Sequence, residues 1–433
     1  MFKSPSAEIK EELVQTWAKN YVSSVADLQK SLREKRIEGV MHRLEKVLDA
    51  FCQERLGTQH FASVTGFGHG DIGRKVVDKV FARVLGAEKA AVRTQFVSGT
   101  HAIAAALFGV LRPGDKLLSV TGRPYDTLEE VIGLRGRGQG SLVEFGVFYQ
   151  EVCLDKNGFI DVVGLEKALE VPRRMVFIQR SCGYSWRPSL SIDSIQEICS
   201  VVHHKQPECV CFVDNCYGEL VEEKEPCEVG ADLIAGSLIK NLGGTIVPTG
   251  GYVAGKNDLV EKACCRLTSP GIGIEGGIAF GLNRVLLQGL FLAPQMVAEA
   301  LMGADLVAGV FADLGFKVQP TVGQHRSDLI QAVRLGDPNA LQVVCKAFQL
   351  CSPVESYVEP VPAAMPGYNN ALIMAGGTFI DGSTSELSAD APLRPPYDLY
   401  VQGGVHHSHV KIALIRALCE LVKAGFLDLP QTD

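Results

Sequence analysis

The chain reads CVCFVDNCYGE from Cys209 to Glu219 and AGSLIKNLGG from Ala235 to Gly244. The first stretch is an apolar run that ends on Asp214, the pattern of a strand buried on both faces. The second surrounds Lys240 with Ala, Gly, Ser, Leu and Ile. A lysine is seldom buried unless it is paired or used, and desolvation draws an ammonium pKa down towards neutrality. An amine in that setting is a Schiff-base former. Further back, VSGTHAIAAAL (Val97–Leu107) is a glycine turn that opens an Ala-rich helix. Glycine lets the backbone approach a ligand closely, and the first N–H groups of a helix attract phosphate, here at Ser98, Gly99 and Thr100. Many such turns bind nothing, so the turn gains meaning only from its company. A carboxylate ending an apolar strand needs a cationic partner, and a pyridinium N–H is one. Aspartate, lysine and phosphate turn together match what pyridoxal 5'-phosphate (PLP) requires.

Working outward, the first sixty or so residues carry helical periodicity, with Leu28, Leu32, Val40, Leu44, Val47, Leu48 and Phe51 at three-to-four spacing. Residues 1–65 are therefore read as an amphipathic arm, which can pack on a partner subunit. From Gly66 helix and strand alternate: DIGRKVVDKVFARVLG is a helix stopped by Gly86, and AAVRTQFV, KLLSV, RMVFIQ, ECVCFVD and DLIAGS are strands. This alternation predicts a large α/β domain over residues 66–290 with a mostly parallel sheet. After about Leu290, helices and Pro-rich connections indicate a smaller C-terminal α+β domain over residues 291–433.

Composition narrows the function. Of 433 residues, 46% are hydrophobic and 21% charged, enough for a large core, and the net charge of −7 comes without a basic block. Nucleic acid is therefore not an expected partner. The N-terminus MFKSPSAEIKEEL lacks a secretory apolar stretch, and runs such as AIAAALFGVL fall short of the roughly 18 residues of a membrane span. A cytoplasmic protein with no membrane partner is expected. The thirteen cysteines show no paired C-x-x-C spacing and read as reduced, buried thiols. His406, His407 and His409 read as a polar helix start, so no metal is expected.

Other residues leave alternatives open. Tyr125, in TGRPYDTL, is either a ring-stacking tyrosine or a core tyrosine at a strand end. Ser237 and Lys240 also spell S-x-x-K, as in penicillin-binding hydrolases, but the S-D-N and K-T-G elements do not follow.

The blocks VTGFGHGDIGRKVVDKVFARVLGAEKAAVRTQFVSGTHAI, IQRSCGYSWRPSLSI, FVDNCYGELVE, GSLIKNLGG and LSADAPLRPPYDLYVQGG resemble the aluminium-resistance family of PLP proteins, relatives of methionine γ-lyase and cystathionine β-lyase. The similarity runs from about Trp17 to the end. It implies fold type I and a homodimer or homotetramer with active sites at subunit interfaces. It assigns Lys240 to the Schiff-base lysine, Asp214 to the pyridinium partner, and Ser237 to a phosphate-binding hydroxyl. Gly99 and Thr100 match the phosphate turn, and Tyr125 the stacking tyrosine. The neighbour-donated Tyr and Arg of the lyases have no clear match, Arg74 being a stand-in. The substrate carboxylate would fall to Arg394 in PLRPPY, with Arg180 and Arg187 as alternatives. The implied reaction is carbon–sulfur bond cleavage in an amino acid; transamination, or a PLP-binding stress protein with little turnover, is the alternative.

Overall fold

A computed structural model of the protein describes residues 5–429 except Arg137 and Thr384, with side chains described from residue 11 on. Two helices, α1 (Pro5–Leu28) and α2 (Lys30–Gln53), precede an alternating series. It runs α3 (Ile72–Val84), β1 (Lys89–Arg93), α4 (Gly99–Val110), β2 (Lys116–Ser119), α5 (Asp126–Ile132), β3 (Phe148–Glu151), α6 (Val162–Ala168) and β4 (Met175–Gln179). It continues with α7 (Ile192–Lys205), β5 (Val210–Asp214), β6 (Leu233–Ser237), β7 (Gly251–Gly255) and α8 (Asn257–Leu267). The long α9 (Asn283–Asp313) leads to β8 (Lys317–Gln319), β9 (Gln331–Arg334), α10 (Pro338–Leu350), β10 (Leu372–Ala375), β11 (Ser388–Pro392), β12 (Asp398–Gln402) and α11 (His407–Lys423).

The chain forms two compact units. The larger takes Val40–Pro294 with Arg326–Asp328 and holds a seven-stranded sheet in the order β1-β7-β6-β5-β4-β2-β3. β7 runs antiparallel to both neighbours, and the other pairings are parallel. Every residue of β4, β5, β6 and β7 is buried, which is why their sequences are continuous apolar runs rather than alternations. The core includes Phe177 and Phe212 of the sheet with Ala102 and Ala106 of α4 and Val260 of α8. Burying each of the two rings stabilises the fold by roughly 1.5–3 kcal/mol. Helix starts follow their capping residues: the Asp71 side chain accepts the Arg74 N–H, and Ser98 Oγ accepts the His101 N–H.

The smaller unit contains α1, Gln295–His325 and the chain from Leu329 onward. Its five-stranded sheet has the order β10-β11-β12-β9-β8 and is antiparallel throughout. Val14, Ala18, Val22 and Val25 of α1 lie in its core with Leu414 and Leu418 of α11. The first 65 residues thus do not make a unit of their own, because the buried face of α1 is completed by C-terminal elements. One expectation changes. α9 is long and apolar enough, by length and composition, to cross a bilayer, which a count of unbroken apolar runs overlooked. Protein buries 61% of its most apolar window, as in a core helix.

Candidate active site

The carboxyl ends of β5 and β6 bring the singled-out residues together. Asp214 ends β5 and Ser237 ends β6, the two strands being neighbours in parallel register. Clefts at the carboxyl ends of parallel strands are where open α/β sheets bind ligands. Asp214 is buried and accepts the Cys216 N–H at 3.1 Å. Burial pushes its carboxyl above the usual range, while the Cys216 N–H and the charge of Lys240 pull it down. This is a buried acid disposed to meet a cation.

Lys240 follows β6 and opens a short 3₁₀ turn, Asn241–Gly243. It is half-buried, less enclosed than the sequence suggested, because it leaves the sheet three residues after Ser237. Its Nζ lies 3.7 Å from the centroid of the Tyr217 ring, a cation–π contact. Sequence reasoning missed Tyr217. The residue has a φ of 71°, a left-handed conformation costly for a bulky side chain. Asn241, next to the lysine, holds it there by donating Nδ2 to the carbonyls of Tyr217 at 3.0 Å and Glu219 at 2.8 Å. The signal was present as the aromatic three residues beyond Asp214, but its meaning depends on the backbone.

The turn before α4 completes the cluster. A Cβ at Gly99 would lie 3.1 Å from Ser237 Cβ and 3.2 Å from Cys216 Sγ, so the helix start presses directly on the ends of β5 and β6. Ser98 is the N-cap, and Thr100 Oγ1 meets Thr127 Oγ1 of α5 at 2.9 Å. Tyr125, at the start of α5, donates its N–H to Gln179 Oε1 at 2.7 Å. Its ring lies over Gly183 and 5.7 Å from the Tyr184 ring. Glycine at 99, the first N–H groups of α4, the Ser237 hydroxyl and the buried Asp214 carboxyl group fit a phosphorylated pyridine aldehyde.

The arginines divide. Arg180 is fully buried and spent on Asn215 Oδ1 at 2.7 Å and Glu222 Oε2 at 2.8 Å. Arg187 donates to the carbonyls of Gln179, Ser181 and Pro188. Both guanidiniums are thus engaged within the fold. Arg74 is buried and donates to the carbonyls of Gly277 and Glu275 within its own chain. Arg394 is half-buried in the turn after β11 of the smaller unit, its N–H on the Pro392 carbonyl.

Comparison with known proteins gives consistent results. A family model described as methionine γ-lyase matches residues 16–422. The uncharacterised protein YnbB of Bacillus subtilis is 48% identical over 391 residues, 90% of this chain and 93% of its own. The crystal structure of a carbon–sulfur lyase involved in aluminium resistance, from Clostridium novyi NT, is 44% identical; it covers 97% of this chain and 100% of its own with a TM-score of 0.90. The PLP-dependent protein YhfS of Escherichia coli, 19% identical with a TM-score of 0.59 over 88% of this chain and 96% of its own, shares the fold.

Proposed function

The chain belongs to the methionine γ-lyase family, and from that premise we propose that it is a PLP-dependent carbon–sulfur lyase acting on an amino acid. The observation that carries this is the packing of Gly99 against Ser237 and Cys216, with Asp214 and Lys240 at the same strand ends. When bound, PLP supplies the electron sink for a pair released at the substrate's α-carbon. Lys240 Nζ would be the amine that holds the cofactor and, when free, the base that takes the substrate's α-proton. Asp214 would keep the pyridine nitrogen protonated. The N–H groups of Gly99 and Thr100, with the hydroxyls of Ser98 and Ser237, would receive the phosphate, and Tyr125 would lie against the ring. The carbon–sulfur bond breaks, and with water the products are a thiol, a keto acid and ammonia.

Arg394 is proposed for the substrate carboxylate, since a guanidinium matches it bidentately. Arg326 competes because its segment groups with the unit that carries Lys240. A homodimer or homotetramer is inferred from Phe67 and Phe280, exposed at 76% and 67%, in loops joined by the Gly277 N–H to Phe67 carbonyl bond. All thirteen cysteines are free, which fits a reducing compartment, and we infer a cytoplasmic protein.

Borohydride reduction of PLP-loaded protein should fix one pyridoxyl group on Lys240, and cystathionine, cysteine or methionine should yield free thiol and keto acid. A label on another lysine would overturn the site. Keto acid without thiol would indicate transamination.

A further inference from the structure

The other ends of β5 and β6 carry a second cluster. Cys211 and Asp232 pair there, the Cys211 N–H donating to Asp232 Oδ2 at 2.7 Å and the Asp232 N–H to the Cys211 carbonyl at 2.9 Å. His203, near the end of α7, brings Nε2 to 2.9 Å from the same Oδ2. The imidazole nitrogen, the thiol sulfur and the carboxylate oxygen all lie within 4.8 Å of one another. Lys256 Nζ holds the remaining oxygen, Oδ1, at 2.8 Å. The carboxylate is thereby oriented with one oxygen fixed by a cation and the other turned to the imidazole and thiol, the outer support that metal-ligating carboxylates need.

From this juxtaposition we propose that His203, Cys211 and Asp232 form a site for a borderline-soft divalent cation of the zinc type. Zinc takes sulfur, nitrogen and carboxylate oxygen together at bonds of about 2.0–2.3 Å, which sets its donors roughly 3.5 Å apart in a tetrahedron. Small side-chain shifts bring the three atoms to that spacing. Calcium and magnesium prefer oxygen sets, and a single carboxylate does not serve them. Cys211 and Asp232 are buried, whereas the His203 side chain is 30% exposed, which gives the ion an entrance and leaves the fourth position to solvent. No linear motif announces the site, because its donors come from a helix, a strand and a turn. The bound ion would tie α7 to the beginnings of the two strands whose far ends carry Asp214 and Ser237.

The test uses PLP-loaded protein stripped of metal by a chelator, then titrated with cobalt(II) or zinc. We expect one equivalent retained on dialysis, a thiolate-to-cobalt charge-transfer band in difference spectra, and a zinc-dependent rise in melting temperature. Cys211→Ser and His203→Gln should each abolish all three while keeping PLP absorbance. His203→Gln changes a partly exposed side chain and so guards against misfolding. No retained ion, or a band that survives both variants, would overturn the proposal and leave a salt-bridge network of His203, Asp232 and Lys256.

Discussion

At Asp214, burial and the nearby Lys240 act on the carboxyl in opposite directions, and burial prevails. A protonated pyridine ring would reverse that balance by placing a cation against the carboxylate. Asp214→Asn is therefore expected to keep PLP, since the phosphate turn and Lys240 remain. It should lose α-proton exchange in deuterated water by on the order of 100-fold, the size seen when one preorganised electrostatic partner is removed. Exchange equal to the unaltered protein would make Asp214 a structural residue. Arg394→Ala should weaken amino-acid binding without releasing PLP, read as a lost spectral response to substrate. An unchanged titration would shift the assignment to Arg326. Asp214 and Lys240 were legible in the sequence because a charge in an apolar run needs a reason. Tyr217 was not, since its place over Lys240 rests on a left-handed backbone and on a clamp from Asn241.

Among the elements, the turn after β6 is tightly packed. A Cβ at Gly243 would lie 1.8 Å from the Leu238 carbonyl oxygen, and one at Gly244, where φ is 52°, would lie 2.2 Å from that of Gly289 on α9. Backbone cannot yield as a side-chain tip can. Gly243→Ala should thus cost about 2 kcal/mol or more, the range of overpacked cores, and should weaken PLP retention because Lys240 moves with the turn. Urea denaturation with and without PLP measures both; a stable variant that still holds PLP would refute the coupling. The buried parallel strands were visible as apolar runs, with β4, β5 and β6 within a residue or two of their predicted limits. β7 was not, because GYVAG offers two glycines and little β-branched content. β3 escaped for the opposite reason, its residues being largely exposed at the sheet's edge.

The whole molecule carries an acid whose protonation is bound up with folding. Burial pushes the Glu219 carboxyl from 4.5 up to about 8; Tyr252 Oη donates to one oxygen at 2.8 Å, and the other has no hydrogen-bond partner among the described residues. Between pH 4.5 and 8 the unfolded chain releases this proton while the folded one keeps it. Stability therefore falls as pH rises through that window, by up to about 1.4 kcal/mol per unit, and levels off above it. Glu219→Gln should flatten the urea midpoint over the same range. Parallel curves for the two proteins would mean that Glu219 ionises within the fold. The sheet order has a further consequence, for chains still being synthesised. β1 lies at the sheet's edge with β7 as its neighbour, yet β7 is made about 160 residues later. A nascent chain halted before Gly251 would carry β1, the strand that leads into the Ser98–Thr100 turn, with no neighbour in the sheet. Cofactor capture then belongs to the last stage of translation of the larger unit, and ribosome-bound chains ending before β7 should emerge colourless.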